Sequence, residues 1–358
     1  MKDIVRATIA IVVICALLFY ANFQLNETTG RAGNDTISVY NWGEYIDPEL
    51  IAEFEEETGI TVVYETFDSN EAMMTKIEQG GTSYDVAIPS EYAIEKMKEN
   101  KLLIPIDHSK IPNLQNIDPY FLDLPFDPGN EYSIPYFWGT VGIAFNPALL
   151  EDNLTFESWE DLWDASLNQE VILVDGAREV MGVGLNTLGY SLNTNDEAQL
   201  YEATEKLKTL SPNIKAIIGD EIVETMRRGE AAVALVWSGQ AADIMYVNED
   251  IDFAVPIEGS NLWFDNMIIP KTAANVEGAH KFINFMLDPE IAARNADYVG
   301  YSTPNEKAIE LMDPEVTGDE RFYPTEEMRE RLEVYQNLGV ETLGLYNELF
   351  LEFKMDAQ

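Results

Sequence analysis

Residues 37–45 read ISVYNWGEY, a short alternation of apolar and polar side chains that runs into a tryptophan, a glycine and an acid. Ile37, Val39 and Tyr40 suit a strand, and residues 41–45 suit the loop that leaves it. Asp47 and Pro48 then offer an N-cap and a first helical position. Leu50, Ile51 and Phe54 supply an apolar helix face, and Gly59 a stop. Trp42, Gly43, Glu44 and Tyr45 therefore fall at the carboxyl end of a strand, the edge where open α/β sheets bind ligands. The two aromatics would equally serve to cover a helix start.

The pattern repeats on the C-terminal side. Residues 60–67 suit a second strand, 70–79 a helix closed by Gly80 and Gly81, and 84–88 a third strand. Pro89, Ser90, Glu91 and Tyr92 leave that strand as Trp42 leaves the first, and a helix follows through Met97. This βαβαβ order predicts a parallel sheet with helices on both faces, which brings Ser90 and Tyr92 to the edge that holds Trp42. Ser90 would also fit as a plain N-cap.

Further along, 118–127 reads as a loop, and 132–138 (YSIPYFW) leads through Gly139 into a strand at 141–146. Residues 137–140 are the expected first crossing between two domains. A short helix is expected at 159–163 and a strand at 171–175. That strand ends in Asp175, followed by Gly176, Ala177, Arg178 and Glu179, with a helix at 181–188 and polar helices to Leu210. Residues 231–237 (AAVALVW) form a buried strand by their continuous apolarity, broken at Ser238 and Gly239 just after Trp237. Residues 261–270 (NLWFDNMIIP) carry the chain back, with Trp263 and Asp265 on one face by the two-residue period. A helix at 279–286 precedes YVGYSTP, which puts Tyr301 in a loop, and a helical tail runs from Glu326. The expected lobes are 37–138 with 265–310, and 139–264 with 311–358, joined by crossings that form a hinge. No internal repeat is apparent.

Composition bounds the function. At 358 residues the chain exceeds the size at which one core stops growing. Acidic residues number 64 against 22 basic, a formal charge of −42, which speaks against nucleic acid and anionic lipid as partners of the folded part and would draw in a cation. Hydrophobic content of 46% supports sizeable cores and excludes a disordered acidic chain. Lys2 and Arg6 precede an apolar run from Ala7 to Ala21, so residues 1–25 read as an export signal or membrane anchor and 26–36 as a tether. The stretch from Ile4 to Phe23 is roughly as long as a bilayer span needs if Arg6 snorkels, and Ala-x-Ala spacing is absent. Cys15 follows Ile14, where a lipoprotein site would want a small residue; an uncleaved anchor is the expectation. With Cys15 the sole cysteine, no intrachain disulfide can form. His108 and His280 have no metal-ligand partners at useful spacing and read as surface residues; neither a metal nor a cofactor is expected.

The strings YNWGEYI, FDSNEAM, YDVAIPSEY, YSIPYFWG, DGAREV, LWFDN and GYSTPN, spread from residue 37 to the C-terminal part, resemble the spermidine/putrescine-binding proteins of polyamine ABC transporters, and the anchor-like N-terminus without a lipoprotein site looks more like their Gram-positive type. The resemblance implies an α/β, two-domain periplasmic-binding-protein (Venus flytrap) fold, with parallel-type sheets flanked by helices and the ligand in the interdomain cleft. It implies a monomeric extracytoplasmic receptor that delivers spermidine or putrescine to permease subunits and does not act as an enzyme. Trp42, Tyr45, Trp237, Trp263 and Tyr301 match its aromatic box. Glu179 and Asp265 match carboxylates for amine nitrogens, and Ser90, Tyr92, Glu44 and Gln336 match polar contacts. Gly43 and Asp175 complete the candidate set. A pattern common in the family, DDAREV, has a second acid where this chain has Gly176.

The residues support that chemistry by themselves. A polyamine alternates ammonium groups with methylene runs, so enclosing it takes carboxylates for the charges and flat apolar walls for the chain. Glu179 alone would also fit a salt bridge to Arg178 or an exposed helix start. Two rival readings use the same residue types. In a glycosidase, Glu179 and Asp265 would be acid and nucleophile, although no nucleophile elbow, phosphate loop or HExxH motif is present. A sugar receptor would stack its ligand on the aromatics but would favour amides over an acid-only polar set.

Overall fold

The structure, a computed structural model, describes residues 35–150 and 154–357. The expected anchor and tether up to residue 34, with Cys15, lie outside the described residues. Among those described, no helix is long and apolar enough to cross a membrane.

Strand β1 (Thr36–Trp42) runs two residues beyond its expected end, so Trp42 belongs to the sheet. In α1 (Pro48–Thr58), Asp47 caps the Glu49 N–H and Gly59 closes the helix in the left-handed conformation at φ 69°. β2 (Thr61–Phe67) and α2 (Asn70–Gln79) follow as the sequence predicts. β3 shrinks to Val86–Ala87 because Asp85 replaces ladder bonds with its side chain, which accepts from Ser38, Ala274 and Asn275 N–H groups. α3 (Glu91–Glu99) completes the βαβαβ unit.

β4 (Ser133–Phe145) is one strand of 13 residues, buried along its length, with a register shift between Pro135 and Phe137, and the residues 137–140 expected to cross between domains lie within it. Then come β5 (Val171–Val174), α4 (Ala177–Thr187), α5 (Glu197–Lys208), β6 (Ile214–Ile218), α6 (Glu221–Arg227), β7 (Val233–Trp237), α7 (Ser238–Val247), β8 (Asp252–Ala254) and β9 (Leu262–Ile268). The chain closes with α8 (Val276–Met286), α9 (Pro289–Val299), three short helices, α10 (Glu306–Ile309), α11 (Pro314–Thr317) and α12 (Glu326–Arg329), and α13 (Gly339–Asp356). α4 starts four residues before its expected start, which puts Glu179 in its first turn. The expected continuous helical tail is interrupted between α12 and α13. There Glu333 accepts from Ser191 and Leu192 and holds the chain extended beside Asn261.

The strands lie in the order β2-β1-β3-β9-β4-β7-β5-β6, with β8 on β4. β1 pairs in parallel with β2 and β3, and β5 with β6 and β7. The parallel expectation therefore holds at both ends. The centre is antiparallel, β3 to β9, β9 to β4 and β4 to β7, because a chain that crosses and returns along adjacent strands must reverse.

One core gathers Ile37, Phe54, Tyr84, Phe137 and Phe282. A second gathers Ile143, Leu173, Leu235, Tyr346 and Phe353, and a third lies on the other face of the same strands with Ala144, Ile172 and Val236. That alternation is the two-residue strand period, and it explains why both faces need helices. His280 departs from expectation: it is buried on α8, its Nε2 accepts the Asp107 N–H at 3.0 Å and its Nδ1 lies 2.6 Å from the Val276 carbonyl. It fixes the 107 loop to α8. His108 is exposed as expected.

Candidate functional site

Asp265 is the centre. It sits on β9, the strand that joins the two halves of the sheet, and is 6% exposed. Tyr45 Oη donates to its Oδ2 at 2.8 Å and Ser90 Oγ donates to its Oδ1 at 2.7 Å. Ser90 occupies the N-cap position of α3 but makes no cap bond, so the plain capping role does not hold for its hydroxyl. Burial raises the Asp265 pKa to about 6, and the two hydroxyl donors oppose that rise. The Tyr45 phenol is pushed well up, by burial first and then by the neighbouring Asp265 charge. Asn70 supports the arrangement: its Nδ2 donates to Ser90 Oγ at 3.1 Å and to Tyr92 Oη at 3.0 Å, and its Oδ1 accepts the Ser90 N–H.

Aromatic edges meet around this carboxylate. The Tyr301 ring lies 5.1 Å from Trp263 and 5.4 Å from Tyr45, both edge-on, and Phe137 lies 5.3 Å from Tyr45. Trp42 packs on Phe67 at 4.5 Å. The indole N–H groups of Trp42 and Trp263 are buried and have no hydrogen-bond partner among the described residues. Trp237 ends β7, pairs in register with Val141, and packs against both of the larger cores. Gly139 is where Trp263 crosses β4: a Cβ there would lie 2.5 Å from Trp263 Cζ2 and 2.5 Å from Ser238 Oγ.

Glu179, in the first turn of α4, is half-buried, and burial raises its pKa while its own backbone N–H and Arg178 lower it. The alternative of a salt bridge to Arg178 is not formed. The guanidinium binds the Leu192 and Gln336 carbonyls and Asn193 Oδ1, and stacks over Tyr335 with the ring centroid at 4.1 Å.

The remaining candidates lie apart from this cluster. Gly43 and Glu44 are exposed at the tip of the loop after β1, with Glu44 at φ 51°. Asp175 is exposed and pairs with Lys354 of α13 at 2.7 Å. The Gln336 side chain is exposed, and its backbone is tied to Asn193 and Arg178.

One carboxylate was missed by the sequence reading. Glu91 is 1% exposed, and its Oε2 accepts the Phe264 N–H at 3.0 Å, next to Asp265. Burial raises its pKa to about 8, and Asp265 adds to the rise. Its position directly after Ser90 was the available signal. Tyr136 was also missed; its hydroxyl donates to the Tyr45 carbonyl at 2.8 Å and fixes the loop that delivers Tyr45. The result is a buried anionic group ringed by aromatic edges, suited to an alkylammonium. Among the described residues no cluster of His, Cys, Asp and Glu could hold a metal ion.

Residues 49–324 match the family described as bacterial extracellular solute-binding protein. Over 322 residues the chain is 39% identical to the spermidine/putrescine-binding periplasmic protein of Salmonella typhimurium, covering 90% of this chain and 92% of that one. It is 34% identical over 323 residues to the putrescine-binding periplasmic protein PotF of Escherichia coli, covering 85% and 87%. The solved structure of the spermidine/putrescine ABC transporter substrate-binding protein PotD from Streptococcus pneumoniae superposes with a TM-score of 0.85 at 54% identity, covering 90% of this chain and 100% of that chain.

Proposed function

Because the chain belongs to the bacterial extracellular solute-binding protein family and shares its two-domain binding-protein fold, we propose that it captures spermidine or putrescine outside the cytoplasm and passes it to an ABC permease. The observation that carries this reading is Asp265, a buried carboxylate held by two hydroxyl donors beneath the edges of Tyr45, Trp263 and Tyr301. A buried carboxylate without a counter-charge is costly, and an ammonium group supplies that charge. The aromatic walls supply cation–π attraction and a surface for the methylenes. Glu179 is the second amine acceptor in this reading. Trp42, Trp237 and Tyr92 line the chain of the ligand, and the protein works as a monomer without catalysis. A sugar receptor would carry amides in place of these acids, and the names of the relatives favour polyamine.

The lobes are taken as 37–138 with 265–310 and 139–264 with 311–358, closing over the ligand about β4 and β9. Small-angle scattering tests closure: the radius of gyration should fall on adding spermidine, and an unchanged value at saturation would rule closure out. The N-terminal segment is taken to tether the protein to the outer face of the membrane, in which case mass spectrometry of native protein should find residue 1 or 2 still attached. Recovery of a chain starting near residue 26 overturns that tether. The ligand itself is tested by calorimetric titration of residues 36–358 with spermidine, putrescine and maltose. Binding of maltose but of neither polyamine would reject the reading.

A further inference from the structure

Resting on the polyamine reading and on closure about β4 and β9, we propose that Gly239 is a positioning residue: its bare Cα is the seat on which the Tyr301 ring rests, and a side chain there wedges the two halves of the molecule apart. Gly239 is the second residue of α7 and is buried. It is not in the left-handed conformation, so its backbone does not call for glycine, and glycine weakens a helix relative to alanine. The reason is space. A Cβ added at residue 239 would overlap Cδ1, Cε1 and Cζ of Tyr301, three consecutive atoms of one ring.

The two sides of this contact belong to different cores. Ala241 and Ile244 anchor α7 in the third core, whereas Tyr301 packs against the first. The halves meet again at α3, where Glu95 Oε2 accepts the Asn337 N–H at 2.9 Å, two residues after Tyr335 of the second core. The Tyr301 ring is held from behind: Trp263 meets it edge-on at 5.1 Å and Tyr45 at 5.4 Å. Both neighbours are themselves fixed. Trp263 crosses Gly139 so closely that a Cβ there would lie 2.5 Å from its Cζ2, and the Tyr45 hydroxyl is tied to Asp265 at 2.8 Å. On the other side, Ser238 Oγ accepts the Thr140 N–H at 3.2 Å and ties the start of α7 to β4, so α7 does not slide off alone. A methyl group at 239 is therefore relieved by turning α7 and its core away from Tyr301, which opens the cleft that the aromatic box must close. Glycine at this place exchanges helix stability for closure.

The test is a double-mutant cycle on the full chain, read by calorimetry with spermidine and putrescine. Gly239→Ala lowers affinity roughly tenfold or more for whichever polyamine the parent binds, while the ligand-free melting temperature holds or rises, since alanine favours the helix. A residue that only supported the fold would lower both. In a Tyr301→Ala background, Gly239→Ala changes affinity by less than about twofold. Affinity of Gly239→Ala within about twofold of the parent overturns the proposal, and so does an equal loss in both backgrounds. If Gly239→Ala does not fold, recovery of folding on adding Tyr301→Ala supports the seat, and failure to recover overturns it. If the parent binds neither polyamine, the functional reading fails by itself. The seat is then judged in ligand-free protein by the fluorine resonance of fluorotyrosine at position 301: a shift in Gly239→Ala supports it and an unchanged resonance overturns it.

Discussion

Ser90 stands at the N-cap of α3, yet its hydroxyl is spent on Asp265, 175 residues away, at 2.7 Å. A local capping bond has been exchanged for a long-range one that holds a carboxylate in place. Hydrogen bonds to a charged group contribute about 1.5 to 3 kcal/mol, so Ser90→Ala and Tyr45→Phe should each lower polyamine affinity roughly tenfold or more. Calorimetry at pH 8 measures this. Unchanged affinity in both variants would mean that the ligand does not use Asp265.

The pH dependence follows from the same group. Asp265 has its pKa raised to about 6 in the ligand-free fold, and only its ionised form neutralises an ammonium. Affinity should therefore hold steady at alkaline pH and fall as pH drops through about 6. Binding near that pH releases protons, which titrations in buffers of different ionisation enthalpy detect. Affinity that rises on acidification contradicts this assignment.

Asp265 also sets a trade between binding and stability. Its folded pKa exceeds its unfolded one, so the stability due to its neutral form is present below pH 4 and is lost as pH rises through about 6. Asp265→Asn should then raise the ligand-free melting temperature at pH 7.5 while costing at least a hundredfold in spermidine affinity, from the roughly 3 to 5 kcal/mol lost when one partner of a buried pair is removed. Trp263→Ala should cost less, about 1 to 3 kcal/mol of packing and cation–π attraction. If Asp265→Asn binds normally and Trp263→Ala abolishes binding, the site is a stacking platform of the kind that holds sugars.

Glu91 obeys the same sign. With its pKa raised to about 8, the stability due to the neutral carboxyl is present at mildly acid pH and lost as pH rises through about 8. Glu91→Gln should raise the melting temperature at pH 9 by roughly 2 to 4 °C and leave it nearly unchanged at pH 5. Differential scanning calorimetry of the ligand-free protein decides it. An equal shift at both pH values means that Glu91 does not titrate in this range.

The sequence made some of this legible and hid the rest for physical reasons. The two-residue period placed Trp263 and Asp265 on one face, and cap chemistry placed α1 and α2 to the residue. These are local rules that act within a few residues. Asp175 could not be placed, because its position depends on Lys354 of the last helix. The side chain of Gln336 could not be placed either, since its segment is held extended by Arg178 and Asn193. Glu91 was hidden by a rule that usually holds: acids in a first helical turn face water, but this one is covered by β9.

The order of strands also governs when the molecule can fold. β9 lies between β3 and β4, so the sheet of the first lobe stays incomplete until a strand made far later has entered it. About 180 residues must be added after Ala87 before its partner Ile268 exists, roughly 10 to 40 s at ribosomal speed. Throughout that interval the edge of β3 that faces β9 has no partner strand, and the sheet cannot be completed. A chain built this way completes its first sheet only after most of it has been made, so a truncation before β9 would leave that sheet open.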